Sequence, residues 1–252
     1  MDPTTTLALG LAGLCAGTID AIAGGGGLIS VPALLGAGLP PHLALGTNKL
    51  QSCVGTTMAV HRYHAAGLVD LPAMRVAIAA TAVGAALGTG AVLLVDNALL
   101  RLVVPWLLLA VAAWVLARPR LGDEPRPPRL DATRFGLLGG SVLGFYDGFF
   151  GPGCGTFWTA ACLGLGGMGL SRATAFTKVV NLTSNLAALA VFALRGQVDP
   201  GAAAAMIVGQ AIGGRLGASL AVRHGAPFIR VVFTAVVLAL VCRLLWQSLA
   251  GS

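Results

Sequence analysis

The chain alternates between apolar stretches of about 20 residues and short polar breaks, a pattern that severely limits its possible folds. An α-helix of that length crosses the hydrocarbon core of a bilayer, which is roughly 30 Å thick. Only 10% of the residues are charged and the mean hydropathy is +0.86, whereas soluble domains carry about 25% charged residues. Membrane β-barrels would show segments of alternating polarity, which are lacking here. We therefore predict an all-α membrane protein, a polytopic helical bundle.

The net charge of +7 does not indicate a nucleic-acid partner. The 16 lysines and arginines lie mostly at the ends of the apolar stretches, without a basic stripe of interleaved aromatic residues. The five cysteines have no CxxC spacing and lie in apolar stretches, so we interpret them as packing residues. His61 and His64 lack a third metal ligand, which favours an interfacial position over a metal site. We expect no metal and no cofactor.

Two halves of the chain repeat the same motifs on either side of a charged linker. The linker, residues 118–134, contains five arginines and four prolines. Lys49 recurs as Lys178, and Asp70 recurs as Asp199 at the same spacing. Repeats of this size are typical of pseudosymmetric transporters. We predict a first transmembrane repeat at residues 1–117 and a second at residues 135–252, joined by the linker.

Each repeat is expected to contain a glycine-broken helix or hairpin and three long transmembrane helices. Arginines flank one loop in the first half, near Arg62 and Arg75, and the other loop in the second half, near Arg223 and Arg230. Because cytoplasmic loops collect Lys and Arg, we expect a cytoplasmic linker and inverted repeats. The predicted segments are residues 5–22, 28–37, 43–65, 72–95 and 98–117, then 134–149, 156–165, 172–194, 201–222 and 227–248.

Glycine clusters interrupt the apolar region at corresponding places in the two repeats. A continuous helix disfavours such runs, since each glycine costs about 1 kcal/mol relative to alanine. Breaks at matching positions indicate a transporter's binding site, because the next short helix offers free N–H groups to an anion. Close helix packing is the alternative; it explains Gly84 with Gly88 and Gly213 with Gly217 well, but not four consecutive glycines. The clusters contain Gly24, Gly25, Gly26 and Gly27, then Gly151, Gly153 and Gly155.

Polar residues begin the third segment of each repeat. Lys49 and Lys178 are the only lysines of the sequence, and Asn48 and Asn181 lie near them. Ionisable residues inside a membrane are costly and indicate function. We predict that the lysines supply positive charge and that the asparagines orient the ligand. Snorkelling of the lysines to headgroups is the alternative.

Asp20 and Asp147 precede the two glycine clusters as a third matched pair. Each could receive a coupling proton, bind a cation, or accept hydrogen bonds that hold the broken helix together. The sequence leaves these three roles open.

The motifs resemble those of the sulfite exporter TauE/SafE family. The likeness is carried by residues 17–28 (GTIDAIAGGGGL), 38–49 and 67–70 in the first repeat and by residues 145–153 (FYDGFFGPG) and 178–181 in the second. The resemblance implies a multi-pass permease of the bacterial inner membrane. It also implies sulfite, an organosulfonate or a related organic anion as cargo, and an ion gradient as driving force. No P-loop occurs in the sequence.

We therefore expect a secondary transporter and not an enzyme, with a small anion bound between the two broken segments and released by alternating access. The coupling ion, H⁺ or Na⁺, and a homodimeric assembly are left open. A passive anion channel would use the same features. An intramembrane aspartyl protease is disfavoured, because the Gly-x-Gly-Asp motif is lacking around Asp20.

Overall fold

The computed structural model describes residues 1–116 and 125–250, and the regular elements of these ranges are all α-helices. The all-α prediction is thus confirmed. Residues 117–124, which include the first part of the predicted linker, lie outside the described residues. The helices are α1 (Pro3–Ala23), α2 (Gly27–Gly36), α3 (Pro41–Ala65), α4 (Leu71–Val92), α5 (Asn97–Leu116), α6 (Ala132–Phe149), α7 (Cys154–Gly164), α8 (Leu170–Leu194) and α9 (Pro200–Ala250).

The last element contains the two helices that the sequence predicts at residues 201–222 and 227–248. Both lie within α9, which is interrupted by a kink at Gly225 (φ 68°, ψ −159°). Positive φ is the region that glycine enters without steric penalty. Gly225 therefore kinks the chain where a loop was expected.

Several helices are long and apolar enough to cross a membrane, as a multi-pass membrane protein requires. α3, with 25 residues, is long enough but does not reach the same apolarity. Its polar residues explain this, since Asn48, Lys49 and Gln51 lie in its middle and are buried inside the protein. The spans that meet both criteria are Pro3–Ala23, Leu71–Val92, Leu170–Leu194 and Pro200–Gly225.

Four of the long helices begin at an aspartate N-cap. The carboxylate accepts a hydrogen bond from a backbone N–H of the first turn, which satisfies a donor that has no partner within the helix. In α1 the hydrogen bond from the Thr5 N–H, with those from the neighbouring hydroxyls, lowers the pKa of Asp2 to about 2. The pairs are Asp2 with Thr5, Asp70 with Ala73, Asp131 with Arg134, and Asp199 with Ala202.

The glycine-broken segments are hairpins. After α1 the chain turns back, so that a Cβ at Gly26 would lie 2.7 Å from the carbonyl oxygen of Ala16 in α1. After α6 it turns back as well, since Cys154 Sγ lies 3.4 Å from the carbonyl oxygen of Leu143 and the Trp158 ring lies against Gly139. With 10 and 11 residues, α2 and α7 reach only about half of the bilayer core.

Small residues bring the long helices together in two parallel pairs. α4 runs along α6, and a Cβ at Gly84 would lie 2.7 Å from the carbonyl oxygen of Ser141. α1 runs along α9, and a Cβ at Gly217 would overlap the carbonyl oxygen of Thr18. The packing interpretation of Gly84 and Gly217 is confirmed. Each pair joins the first helix of one half to the fourth helix of the other.

Candidate functional site

The tips of the two hairpins meet back to back. A Cβ at Gly155 would lie 2.6 Å from the Cα of Gly24, and a Cβ at Gly27 would lie 3.0 Å from the Cα of Pro152. Gly24 also has φ 76°, in the left-handed region. The glycine clusters predicted from sequence therefore converge, and only glycine permits such an approach of two backbones.

A cavity of about 30 Å³ lies between the tips. By this measure a water molecule needs roughly 10–15 Å³, so the cavity has room for about two waters. All the predicted site residues line this cavity except Lys178, which is ion-paired with the lining residue Asp20. The lining residues are Asp20, Gly24, Gly25, Gly26, Gly27, Asn48, Lys49, Ser52, Asp147, Gly151, Gly153, Cys154, Gly155, Asn181 and Asn185.

The backbone at the cavity carries unpaired donors. Among the described residues, no hydrogen-bond acceptor is found for the N–H groups of Gly25, Gly27, Gly153 and Gly155. These groups stand at the starts of α2 and α7, where the helix dipole adds positive potential. Gly26 differs, because its N–H donates to Asp20 Oδ1 at 3.3 Å. Unpaired N–H groups at helix N-termini are an anion-binding arrangement.

Each lysine is paired with the aspartate of the other half. Lys49 Nζ lies 2.7 Å from Asp147 Oδ1, and both side chains are almost fully buried. Ser184 donates a second hydrogen bond to Asp147. Lys178 Nζ lies 3.0 Å from Asp20 Oδ2, with the Asp20 side chain 24% exposed. The charge of each lysine is thus balanced by a carboxylate, which the sequence-based interpretation did not include.

The two asparagines differ in their surroundings. Asn48 Oδ1 accepts hydrogen bonds from Ser30 Oγ at 2.5 Å and from Gln51 Nε2 at 2.7 Å. Asn181 Oδ1 is buried and has no partner within the part of the chain that the structure describes. A buried amide without a partner is costly. Asn181 therefore has hydrogen-bonding capacity left for a ligand.

Some residues of the cavity were not among the predicted site residues. Ser52 and Asn185 lie one turn beyond Lys49 and Asn181 on α3 and α8, so helical spacing from the predicted residues could have found them. Cys154 also lines the cavity, which corrects its interpretation as a packing residue alone; its apolar sequence context gave no signal. His61 and His64 lie near the end of α3, and in ranges 1–116 and 125–250 no three potential metal ligands converge.

Comparison with known proteins decides the family. The family model described as "Sulfite exporter TauE/SafE" matches residues 9–244. The chain belongs to this family. Its membership confirms the resemblance seen in the sequence motifs and the prediction of a membrane transporter rather than an enzyme.

Curated relatives of this TauE/SafE family chain are similar over most of their length. A "Probable membrane transporter protein" of Haemophilus influenzae is 44% identical over 218 residues, 86% of each chain. The "Probable membrane transporter protein YfcA" of Escherichia coli is 40% identical over 93% of this chain and 87% of its own. "Probable membrane transporter protein ORF9" of a Sinorhizobium species is 39% identical over 93% of this chain and 90% of its own. No solved structure is significantly similar to the chain.

Proposed function

We propose that the chain is a secondary transporter that carries a small anion, namely sulfite, an organosulfonate or a related organic anion, by alternating access. The observation that carries this proposal is the set of unpaired N–H groups at Gly25, Gly27, Gly153 and Gly155, which surround one central cavity. The description of the family as a sulfite exporter supports the cargo class.

The proposed anion is held mainly by backbone dipoles. Two short helices begin at the cavity, and their N-termini attract negative charge from both sides. Lys49 lines the cavity, but its ammonium group is paired with the Asp147 carboxylate. It therefore orients one edge of the site rather than acting as a free cation. Asn181 also lines the cavity, and its side-chain N–H groups, which have no acceptor among the described residues, donate a further hydrogen bond to the anion.

Transport requires the hairpin tips to separate. A cavity of about 30 Å³ has room for about two waters, less than an anion of four heavy atoms such as sulfite needs. We propose that the halves 1–117 and 135–252 are inverted repeats that rock against each other. The reciprocal Lys–Asp pairs and the reciprocal pairing of α1 with α9 and α4 with α6 support this symmetry.

The proposed orientation places the linker end of the bundle in the cytoplasm of a bacterium, with the protein in the inner membrane. Most of the arginines in the described residues lie at that end, as is typical of cytoplasmic loops. Coupling to H⁺ or Na⁺ and a homodimeric assembly stay predictions. The arginines at the linker end are Arg62, Arg75, Arg126, Arg129, Arg134, Arg172 and Arg223, against Arg101 and Arg195 at the opposite end.

A thermal-shift screen tests the anion site. The purified protein is heated with sulfite, sulfate, thiosulfate, sulfoacetate, taurine or acetate, since a ligand that binds the folded state raises its apparent stability. Gly25→Ala should remove the shift, because it adds a methyl group to a residue that lines the cavity; the fold should tolerate it, since the nearest atom beyond its chain neighbours, Leu28 Cδ1, is 3.9 Å away. Gly36→Ala, at the far end of α2 and away from the cavity, is the matched control. The proposal fails if no anion stabilises the protein or if both variants respond alike.

A further inference from the structure

A second and larger cavity lies at the linker end of the bundle. Its volume is about 590 Å³, and it is enclosed by the starts of α4, α6 and α8 and by residues 125–132. The segment that covers it is fixed in place, since the Arg126 N–H donates to Gly167 O and the Arg129 N–H donates to Leu165 O. The cavity has apolar walls deep inside and charged residues at its rim.

The rim of this cavity carries two aspartates and two arginines. Asp70 caps α4, and Asp131 caps α6 and pairs with Arg134, so both carboxylates are engaged. Neither Arg126 nor Arg172 forms an ion pair or a side-chain hydrogen bond among the described residues. Unpaired cations at the mouth of a low-dielectric cleft raise the local concentration of anions.

A cluster of aromatic side chains lies between the two cavities. Phe135 and Phe176 line the larger cavity, and both contact Trp158, with ring centroids 6.1 Å and 5.8 Å away. Trp158 is fully buried, and Cys154, one turn earlier on α7, lines the central cavity. The aromatic cluster and Cys154 therefore lie between the two cavities along α7.

Trp158 is held in an arrangement that leaves one donor unused. Its indole N–H is buried and has no acceptor among the described residues, which is unfavourable for a buried polar group. The ring lies against Gly139, where a Cβ would come within 3.0 Å. A rotation that gives the indole N–H a partner would therefore offset part of the cost of opening this cluster.

We propose that the larger cavity is the vestibule through which the anion reaches the central site, and that Phe135, Trp158 and Phe176 form the gate between them. This inference rests on the proposed function for the identity of the cargo. Arg126 and Arg172 concentrate anions in the vestibule, and the gate isolates the central cavity when it is closed.

Native Cys154 reports whether the gate opens toward the linker. The other cysteines are replaced by alanine, and vesicles of known orientation are treated with a membrane-impermeant methanethiosulfonate reagent. A reference cysteine at Arg129 identifies the linker side. Phe176→Ala should raise the labelling rate of Cys154 from the linker side by about tenfold, because it shifts the gate toward its open state. Phe145→Ala, at an aromatic pair on the outer face of α6, should leave the rate unchanged.

The charge of the vestibule is tested in the Phe176→Ala background. Labelling of Cys154 by an anionic reagent is compared with labelling by a cationic one, so that thiol reactivity cancels. Arg126→Gln with Arg172→Gln should lower the anionic-to-cationic ratio severalfold, whereas Arg134→Gln should not, because Arg134 is already paired.

Two results would overturn the inference. One is a labelling rate of Cys154 that neither Phe176→Ala nor Phe135→Ala changes. The other is faster labelling of Cys154 from the side opposite the linker. If replacing Arg126 and Arg172 leaves the anionic-to-cationic labelling ratio of Cys154 unchanged, the two arginines do not concentrate anions in the vestibule. If Phe176→Ala does not fold, Phe176→Leu replaces it, with the elution profile as the check. Neither measurement uses the transported anion, so failure of the vestibule and failure of the proposed function are distinguishable.

Discussion

The ammonium group of Lys49 in α3 lies 2.7 Å from the carboxylate of Asp147 in α6, so a residue of one half is paired with a residue of the other. Lys49 also donates to the carbonyl oxygen of Asp147 at 2.6 Å. Lys178 contacts both groups of Asp20 in the same way. Each lysine therefore caps the helix that ends at a hairpin tip, where a cation is favourable to the helix dipole.

Breaking one of these ion pairs is expected to destabilise the fold. Lys49→Ala leaves Asp147 buried without its counter-charge, a situation that costs about 3–5 kcal/mol. The loss for Lys178→Ala should be smaller, because the Asp20 side chain is 24% exposed and water can compensate. Thermal or denaturant unfolding in detergent measures both variants.

The double variant Lys49→Ala with Asp147→Ala is the control for this prediction. Removing both charges abolishes the uncompensated burial, so its stability should recover most of what Lys49→Ala loses. If the single and double variants lose the same free energy of unfolding, the loss does not come from the unpaired charge of Asp147.

Contact between the hairpin tips should be sensitive to a single methyl group. Gly155→Ala places a Cβ 2.6 Å from the Cα of Gly24, and such overpacking costs about 1–3 kcal/mol. Gly164→Ala, on the same helix α7 with open space around it, is the matched control and should be neutral or slightly stabilising. An unfolding measurement that ranks the two variants equally would contradict the tip contact.

The sequence predicts the helices that form this site better than the side-chain contacts between them. Apolar periodicity and the glycine clusters place α2 and α7 within a few residues, since these signals are local. The pairing of Lys49 with Asp147 is a tertiary contact across two halves, and no local pattern encodes which carboxylate a buried lysine meets. Cys154 was missed for the same reason: only the meeting of the tips makes it part of a cavity.

The proposed inversion of the repeats predicts opposite sides for equivalent loops. Leu94, after α4, and Arg223, before the kink in α9, occupy equivalent positions in the two halves and are both exposed. A cysteine at position 94 should react with an impermeant reagent from the periplasmic side, and one at position 223 from the cytoplasmic side. Labelling of both from the same side would contradict inverted repeats.

The most direct test of the account is solute counterflow in proteoliposomes that contain the purified protein. Vesicles loaded with unlabelled sulfite should transiently accumulate radiolabelled sulfite above its equilibrium level, because a carrier exchanges the two across one site. Gly25→Ala should abolish the overshoot, and Gly36→Ala should preserve it. Equilibration without an overshoot would indicate a passive channel, and an overshoot that Gly25→Ala leaves intact would contradict an anion site between the hairpin tips.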